Sequence, residues 1–403
     1  MSVWQDQLRL GPEFFQDPHG LYAESREHAP VRPVVMPQGL RGWLVTGYDE
    51  ARTALTDPTV SKDFEGSRDL VQRHREPDRP QMDFGAELAA HMLNSDPPDH
   101  TRLRKMVNRA FTVRGIGHLR PRVEEITEGL LDAMAGSTEV DLLSALAFPL
   151  PITVICELLG VPLDDRDAFR EWTGTVISTE PPAVIQVAAA ALVDYMGRLV
   201  AMKRENPGED LLTALLQTAE DGDRLTEVEL LSMVFLLLIA GHETTVNLIG
   251  NAVLALLRNP DQLAALRADP TLLPGAVEEF LRFESPVGLA TLRYTTAPLR
   301  LGAVEVPAGE FLVVSLGAAN RDEAQFPAAD RLDITRRQGG HLAFGHGIHY
   351  CVGAPLARME GEIALGALLR RFPALSLAVD PSELRWREST IVRGLHSLPV
   401  RLV

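Results

Sequence analysis

Leu230 to Ala240 is apolar on every face of a helix, and that stretch limits what the chain can become. A helix with no polar face has to run through the middle of a large domain. Thr226 and Glu229 stand just ahead of it at capping-box spacing, which starts the helix. Asn259-Pro260 ends it, so the helix is predicted to reach about Leu257. Halfway along stands Ala240-Gly241-His242-Glu243-Thr244-Thr245. Burying such groups is costly unless they are partnered. Ala240 and Gly241 clear side-chain bulk where a flat cofactor and a small gas molecule could sit. Thr244 can return its hydroxyl to the Ala240 carbonyl four residues back and bend the helix. Glu243 then sets an acid beside an alcohol, a pair suited to relaying protons. A satisfied threonine at a bend, with a surface-facing glutamate, is the plain alternative. His242 reads as structural.

A second stretch is as informative. Phe344-Gly345-His346-Gly347-Ile348-His349-Tyr350-Cys351-Val352-Gly353 holds one of two cysteines in the chain. A helix is predicted from Ala354 to Leu369, with Pro355 in its first turn, where a missing N–H costs little. Cys351 therefore precedes a helix N-terminus, whose amides favour a thiolate. Gly345 and Gly347 allow positive φ and close approach of a flat ligand. Taken alone, a lone cysteine in a Gly-rich turn is as readily a core residue, and Cys156, within Ile152–Leu159, reads as one.

The pattern Phe-Gly-x-Gly-x-His-x-Cys-x-Gly is met at all six of its fixed positions: Phe344, Gly345, Gly347, His349, Cys351 and Gly353. It resembles the haem-binding loop of the cytochrome P450 family, in which the cysteine thiolate is the axial ligand of haem iron. The resemblance runs from about Asp17 to the C-terminus. It is nearest to soluble actinobacterial members that tailor macrolides and other polyketides or hydroxylate steroids and vitamin D. It implies a mainly α fold with small β-sheets, a triangular prism holding haem b between the long central helix and the cysteine-loop helix. One domain over residues 1–403 is expected, with a minor β region at about 31–60, 287–316 and 375–403.

The resemblance also assigns further residues. His100 and Arg104 share a helix face, suited either to gripping a carboxylate or to plain solvation. They match the family's His-x-x-x-Arg pair for haem propionates, with Asp99 a candidate N-cap. Arg293 and His349 would complete a cationic cluster for two carboxylates. Glu279 and Arg282 match the family's structural Glu-x-x-Arg, with Arg331 the expected third partner. Residues 59–95 read as an irregular loop over the distal side and 170–190 as a lid. Met92, Leu93, Val287, Leu289, Ala290, Ile391 and Val392 are the expected substrate-pocket residues.

Elsewhere, Val31–Val35 and Gly42–Thr46 are predicted as strands, Leu299–Val306 and Glu310–Leu316 as a hairpin through Pro307-Ala308-Gly309, and about Leu375 to Val403 as strands. The net charge of −16 argues against nucleic acid and anionic membrane partners. Two cysteines make a disulfide framework implausible and a cytoplasmic location natural. No basic-then-apolar leader opens the chain, and the longest apolar run falls short of roughly 20 residues.

The expected activity is a monooxygenase using O₂, with Glu243 and Thr244 supplying protons for hydroxylation or epoxidation of a bulky hydrophobic natural product. A macrolide or other polyketide is the first substrate class, and a steroid or secosteroid the second. No flavin, ferredoxin or dinucleotide module is legible, so a ferredoxin and an NAD(P)H-ferredoxin reductase are expected partners of a monomer. They would dock on a basic patch around Lys105, Arg109 and Arg358. The rivals are a peroxide-driven haem enzyme, which turnover with peroxide alone would favour, and a non-catalytic haem sensor, which would consume no reductant.

Overall fold

The computed structural model describes residues 7–77, 86–111, 113–176, 180–217, 225–337 and 339–403. Parts of the expected distal loop (78–85) and lid (177–179) lie outside them. The rest is mainly helical with small sheets. The central helix runs Glu227–Arg258 without interruption. The Thr226 hydroxyl accepts from the Glu229 amide at 3.2 Å, and the Glu229 carboxylate accepts from the Thr226 amide at 2.8 Å. The capping box thus satisfies two amides that a helix start leaves open. At 1.5 Å per residue the helix is ~48 Å long.

Two cores meet along it. Leu230, Met233, Val234 and Leu236–Leu238 pack with Cys156, Phe169 and Met196. Val246, Leu248, Ile249 and Ala252–Leu256 pack with Leu131, Leu150 and Leu365. The polar segment 240–245 falls between these two cores, where apolar packing leaves off. Two helices, Pro182–Glu205 and Glu227–Arg258, are long and apolar enough to cross a membrane by length and composition alone. In the central helix, 72% of the most apolar window is buried inside the protein.

A six-stranded sheet has the order Leu8–Arg9, Val31–Val35, Arg41–Val45, Phe311–Val314, Arg293–Thr295, Val60–Ser61. The expected hairpin is corrected here. Leu299–Leu301 pairs with Val304–Val306 around Gly302, whose φ is +57°. Phe311–Val314 instead lies between Arg41–Val45 and Arg293–Thr295. All four of its residues are buried, so it needs neighbours on both faces and both edges, whereas Leu299–Leu301 alternates. The described part of residues 59–95 is less irregular than expected, because Asp63 caps a helix over Phe64–His74. Val287–Leu292 carries only isolated bridges, Val287 to Val392 and Leu289 to Ser315. Near the C-terminus only Ser376–Leu377 and Pro399–Arg401 are strands, in a sheet with Glu139–Asp141 that the sequence did not announce.

Candidate active site

The cysteine loop is held by its own backbone. The Cys351 amide donates to the Phe344 carbonyl at 2.9 Å, and the Gly345 amide to Leu342 at 2.8 Å. Gly345 and Gly347 both have φ of +73°, as expected; a side chain at Gly347 would also meet the Leu55 carbonyl at 2.9 Å. The helix Ala354–Arg371 begins with Gly353 as its cap. Cys351 is open to solvent on one side. Protein packed around its other sides raises its thiol pKa, while the amides of Gly353 and Ala354 and the charges of Arg104 and Arg358 oppose that rise. An accessible sulfur facing amides and guanidinium groups suits a metal-bound thiolate.

Beside it the four expected carboxylate-binding residues converge. His100 and His349 face each other with ring centroids 4.4 Å apart. Arg104 donates to the Tyr350 carbonyl at 2.7 Å. Arg293 is buried, and its charge acts on His349, as do those of Lys62 and Arg104. Burial, reinforced by these cations, pushes His349 down to about 2; burial and Arg104 lower His100. The cluster therefore gets its charge from Arg104, Arg293 and Lys62, and the two imidazoles join as neutral groups. Both ring nitrogens of buried His100 lack a partner, and no carboxylate pairs with Arg104 or Arg293 among the described residues. Orphaned buried donors around a cationic cleft fit a flat cofactor carrying two carboxylates, which is haem. Asp99 does not act as a cap; the helix Asp99–Ala110 has no side-chain cap bond, and Asp96 binds Ser61 and the Lys62 amide instead.

On the central helix, the Thr244 hydroxyl donates to the Ala240 carbonyl at 2.8 Å, as expected. Ala240 is exposed. A side chain at Gly241 would meet Ile155 at 2.9 Å, so its missing bulk also admits the helix Pro149–Leu159. Glu243 is buried, not surface-facing, with its carboxylate 2.8 Å from Arg387 and 3.6 Å from His242. Burial by itself would raise this carboxyl, but His242 and Arg387 outweigh it and hold it at about 2. His242 is structural, bonded to the Leu238 carbonyl at 2.8 Å and 3.4 Å from the Thr173 hydroxyl. Glu360 escaped the sequence reading. It is buried on Ala354–Arg371, hydrogen-bonded to Thr245, and burial pushes it up to about 8. The only hint was a glutamate on the apolar face of that helix.

Arg282 is fully buried, with Nε and Nη2 on the Glu279 carboxylate at 2.7 and 2.8 Å. The expected third partner is corrected. Arg331 supplies only its carbonyl, 3.2 Å from Arg282 Nη2, and the charged partner of Glu279 is Arg336, at 3.2 Å. Arg336 also donates to the Pro327 and Ala328 carbonyls, which direct it inward. Among the seven expected pocket residues, Val287 pairs with Val392 through a backbone bridge. Met92 and Leu93 pack with Leu103 and Ile155, and Val287 and Ala290 against the Trp43 cluster. Leu289 turns to Phe14 and Tyr22, and Ile391 and Val392 line a cleft with Leu289, Glu284 and Arg387. Of the basic patch, Lys105 and Arg109 are exposed, while Arg358 is bound to Glu278 at 2.6 Å.

Comparison with known proteins agrees with this geometry. The cytochrome P450 family model matches residues 183–385. Cytochrome P450 107B1 of Saccharopolyspora erythraea is 55% identical over 396 residues, covering 98% of both chains. The 6-deoxyerythronolide B hydroxylase of the same organism is 46% identical, over 96% of this chain and 97% of that protein. The tirandamycin C-bound structure of the P450 monooxygenase TamI superposes with a TM-score of 0.92 at 53% identity, covering 98% of this chain and 100% of that one. A cysteine loop, an orphaned cationic cleft and this degree of likeness along nearly the whole length place the chain in the cytochrome P450 family of haem b monooxygenases.

Proposed function

We propose that this chain hydroxylates or epoxidises a bulky hydrophobic polyketide, a macrolide foremost, with electrons from a ferredoxin and its NAD(P)H-dependent reductase in the cytoplasm. The likeness to a 6-deoxyerythronolide B hydroxylase and to a tirandamycin-binding monooxygenase carries this reading. Bound haem supplies the iron at which dioxygen is activated. Cys351 is the residue that would ligate that iron, with the Gly353 and Ala354 amides favouring its thiolate. His100, Arg104, Arg293 and His349 would hold its propionates. Phe344 packs beneath Arg358, whose guanidinium lies 4.5 Å from the ring centroid.

Thr244 keeps its hydroxyl on the Ala240 carbonyl in the resting protein. Glu243 rests ionised on Arg387, so it takes up a proton only when that pair loosens. It then passes the proton toward Thr244. Arg387 lies on the segment that also carries Ile391 and Val392, so the acid's partner and the expected substrate contacts share one stretch of chain. The test is a natural-product panel read by Soret shifts, followed by turnover with ferredoxin, reductase and isotopically labelled dioxygen. A macrolide or related polyketide is expected to shift the spectrum and gain one labelled oxygen. Label appearing only in steroids would overturn the substrate class, and product without label would overturn the oxygenase.

A further inference from the structure

Lys62 follows the strand Val60–Ser61 and precedes the helix Phe64–His74. Lysine is almost never fully buried unless it is paired. Here it is 5% exposed. Its ammonium donates to the Thr291 hydroxyl, and its amide to Asp96 at 3.0 Å. Among the described residues no carboxylate lies within ion-pair distance of the ammonium. The charged groups that act on the ammonium are Arg293 and Asp96. Val60 stands opposite Thr295 and Ser61 opposite Tyr294, so the next step of that antiparallel register sets Lys62 opposite Arg293. Like charges directly opposite each other destabilise a strand pair. Burial, then Arg293, depresses the Lys62 ammonium, with Asp96 opposing. Lys62 also lowers His91, His100 and His349, and the buried Nδ1 of His91 lacks a partner. Two facing cations beside orphaned imidazoles call for an anion between them.

We propose that Lys62 is a further propionate ligand, closing with Arg293 on one haem carboxylate from the strand edge. With the carboxylate in place, Lys62 joins Arg104 and Arg293 as a third basic side chain set against two carboxylates. Thr291, two residues before Arg293, holds the ammonium in place. This rests on the haem reading, which the reduced carbonyl spectrum of the unaltered holoenzyme checks independently of Lys62. The experiment measures haem transfer from holoenzyme to excess apomyoglobin, together with the propionate bending modes in resonance Raman spectra. A charge-assisted hydrogen bond is worth enough that Lys62→Met is expected to lose haem roughly tenfold faster. The bending modes should shift, and Lys62→Arg should restore both. Haem loss at the parent rate overturns the proposal. Faster loss with unmoved propionate modes also overturns it, because the lysine would then be a strut for Thr291. Should Lys62→Met not fold, Lys62→Gln, which can still bond Thr291 without charge, is read by the same two measurements.

Discussion

Two carboxyls flank the threonine pair of the central helix in opposite states. Glu243, on Arg387 and His242, is held at about 2, while Glu360, bonded to Thr245 in an apolar setting, is pushed up to about 8. Environments that drive two acids apart assign one as the charged partner and the other as the neutral acid. Glu360 carries a stability signature. Unfolded, it ionises near 4.5; folded, it keeps its proton to about 8. Between those values the unfolded chain binds fewer protons than the folded one, so this group's contribution falls as pH rises through that window. Glu360→Gln cannot ionise and escapes the loss. Its melting temperature relative to the parent is expected to climb by at least about 2 °C as pH rises from about 5 to about 8, and to level off outside that range. A pH-independent difference would show that the carboxyl is not held protonated.

At the level of elements, the helix Leu273–Phe283 is tied to the coil before the cysteine loop through Arg282. Arg282 reaches the Asn320 and Ala329 carbonyls, both at 2.8 Å, while Glu279 also accepts from the Asp333 amide at 2.9 Å. Removing one member of a buried charged network costs far more than removing a solvated arginine. Arg336→Ala is expected to cost about 2–4 kcal/mol in denaturant unfolding of the holoenzyme. Arg331→Ala is expected to stay within about 0.5 kcal/mol, because its exposed side chain leaves the carbonyl in place. Equal losses would undo the assignment of Arg336. Spacing placed Glu279 with Arg282 because they lie a turn apart on one helix. It did not select Arg336 over Arg331, because that choice depends on where a coil some fifty residues on turns its carbonyls.

Across the whole molecule, a net charge of −16 works against the acidic ferredoxin proposed above as electron donor. Lys105 and Arg109 stand exposed on the helix that also carries His100 and Arg104, next to the cysteine loop, and Arg358 is paired with Glu278. Steering by such charges acts mainly on association and weakens with salt. Lys105→Glu with Arg109→Glu is expected to slow ferredoxin-driven turnover about tenfold at low salt and leave peroxide-driven turnover unchanged. Equal loss of both would place these residues in the haem site rather than at a docking surface.

The features legible in the chain are those closed within a few turns of backbone. The capping box, the Thr244 bond to Ala240, the left-handed glycines and the helix start after Cys351 each involve residues at most four apart, or one unbroken loop. Their physics is local, so spacing alone determines them. Resemblance then brought distant residues to one cleft. What tertiary structure alone decided is which group answers each buried charge: Arg387 for Glu243, Arg336 for Glu279, and the Thr291 hydroxyl, with no carboxylate in ion-pair reach among the described residues, for Lys62. A buried charge selects its partner by distance in three dimensions, and that distance is set by how two cores and a sheet pack around the central helix.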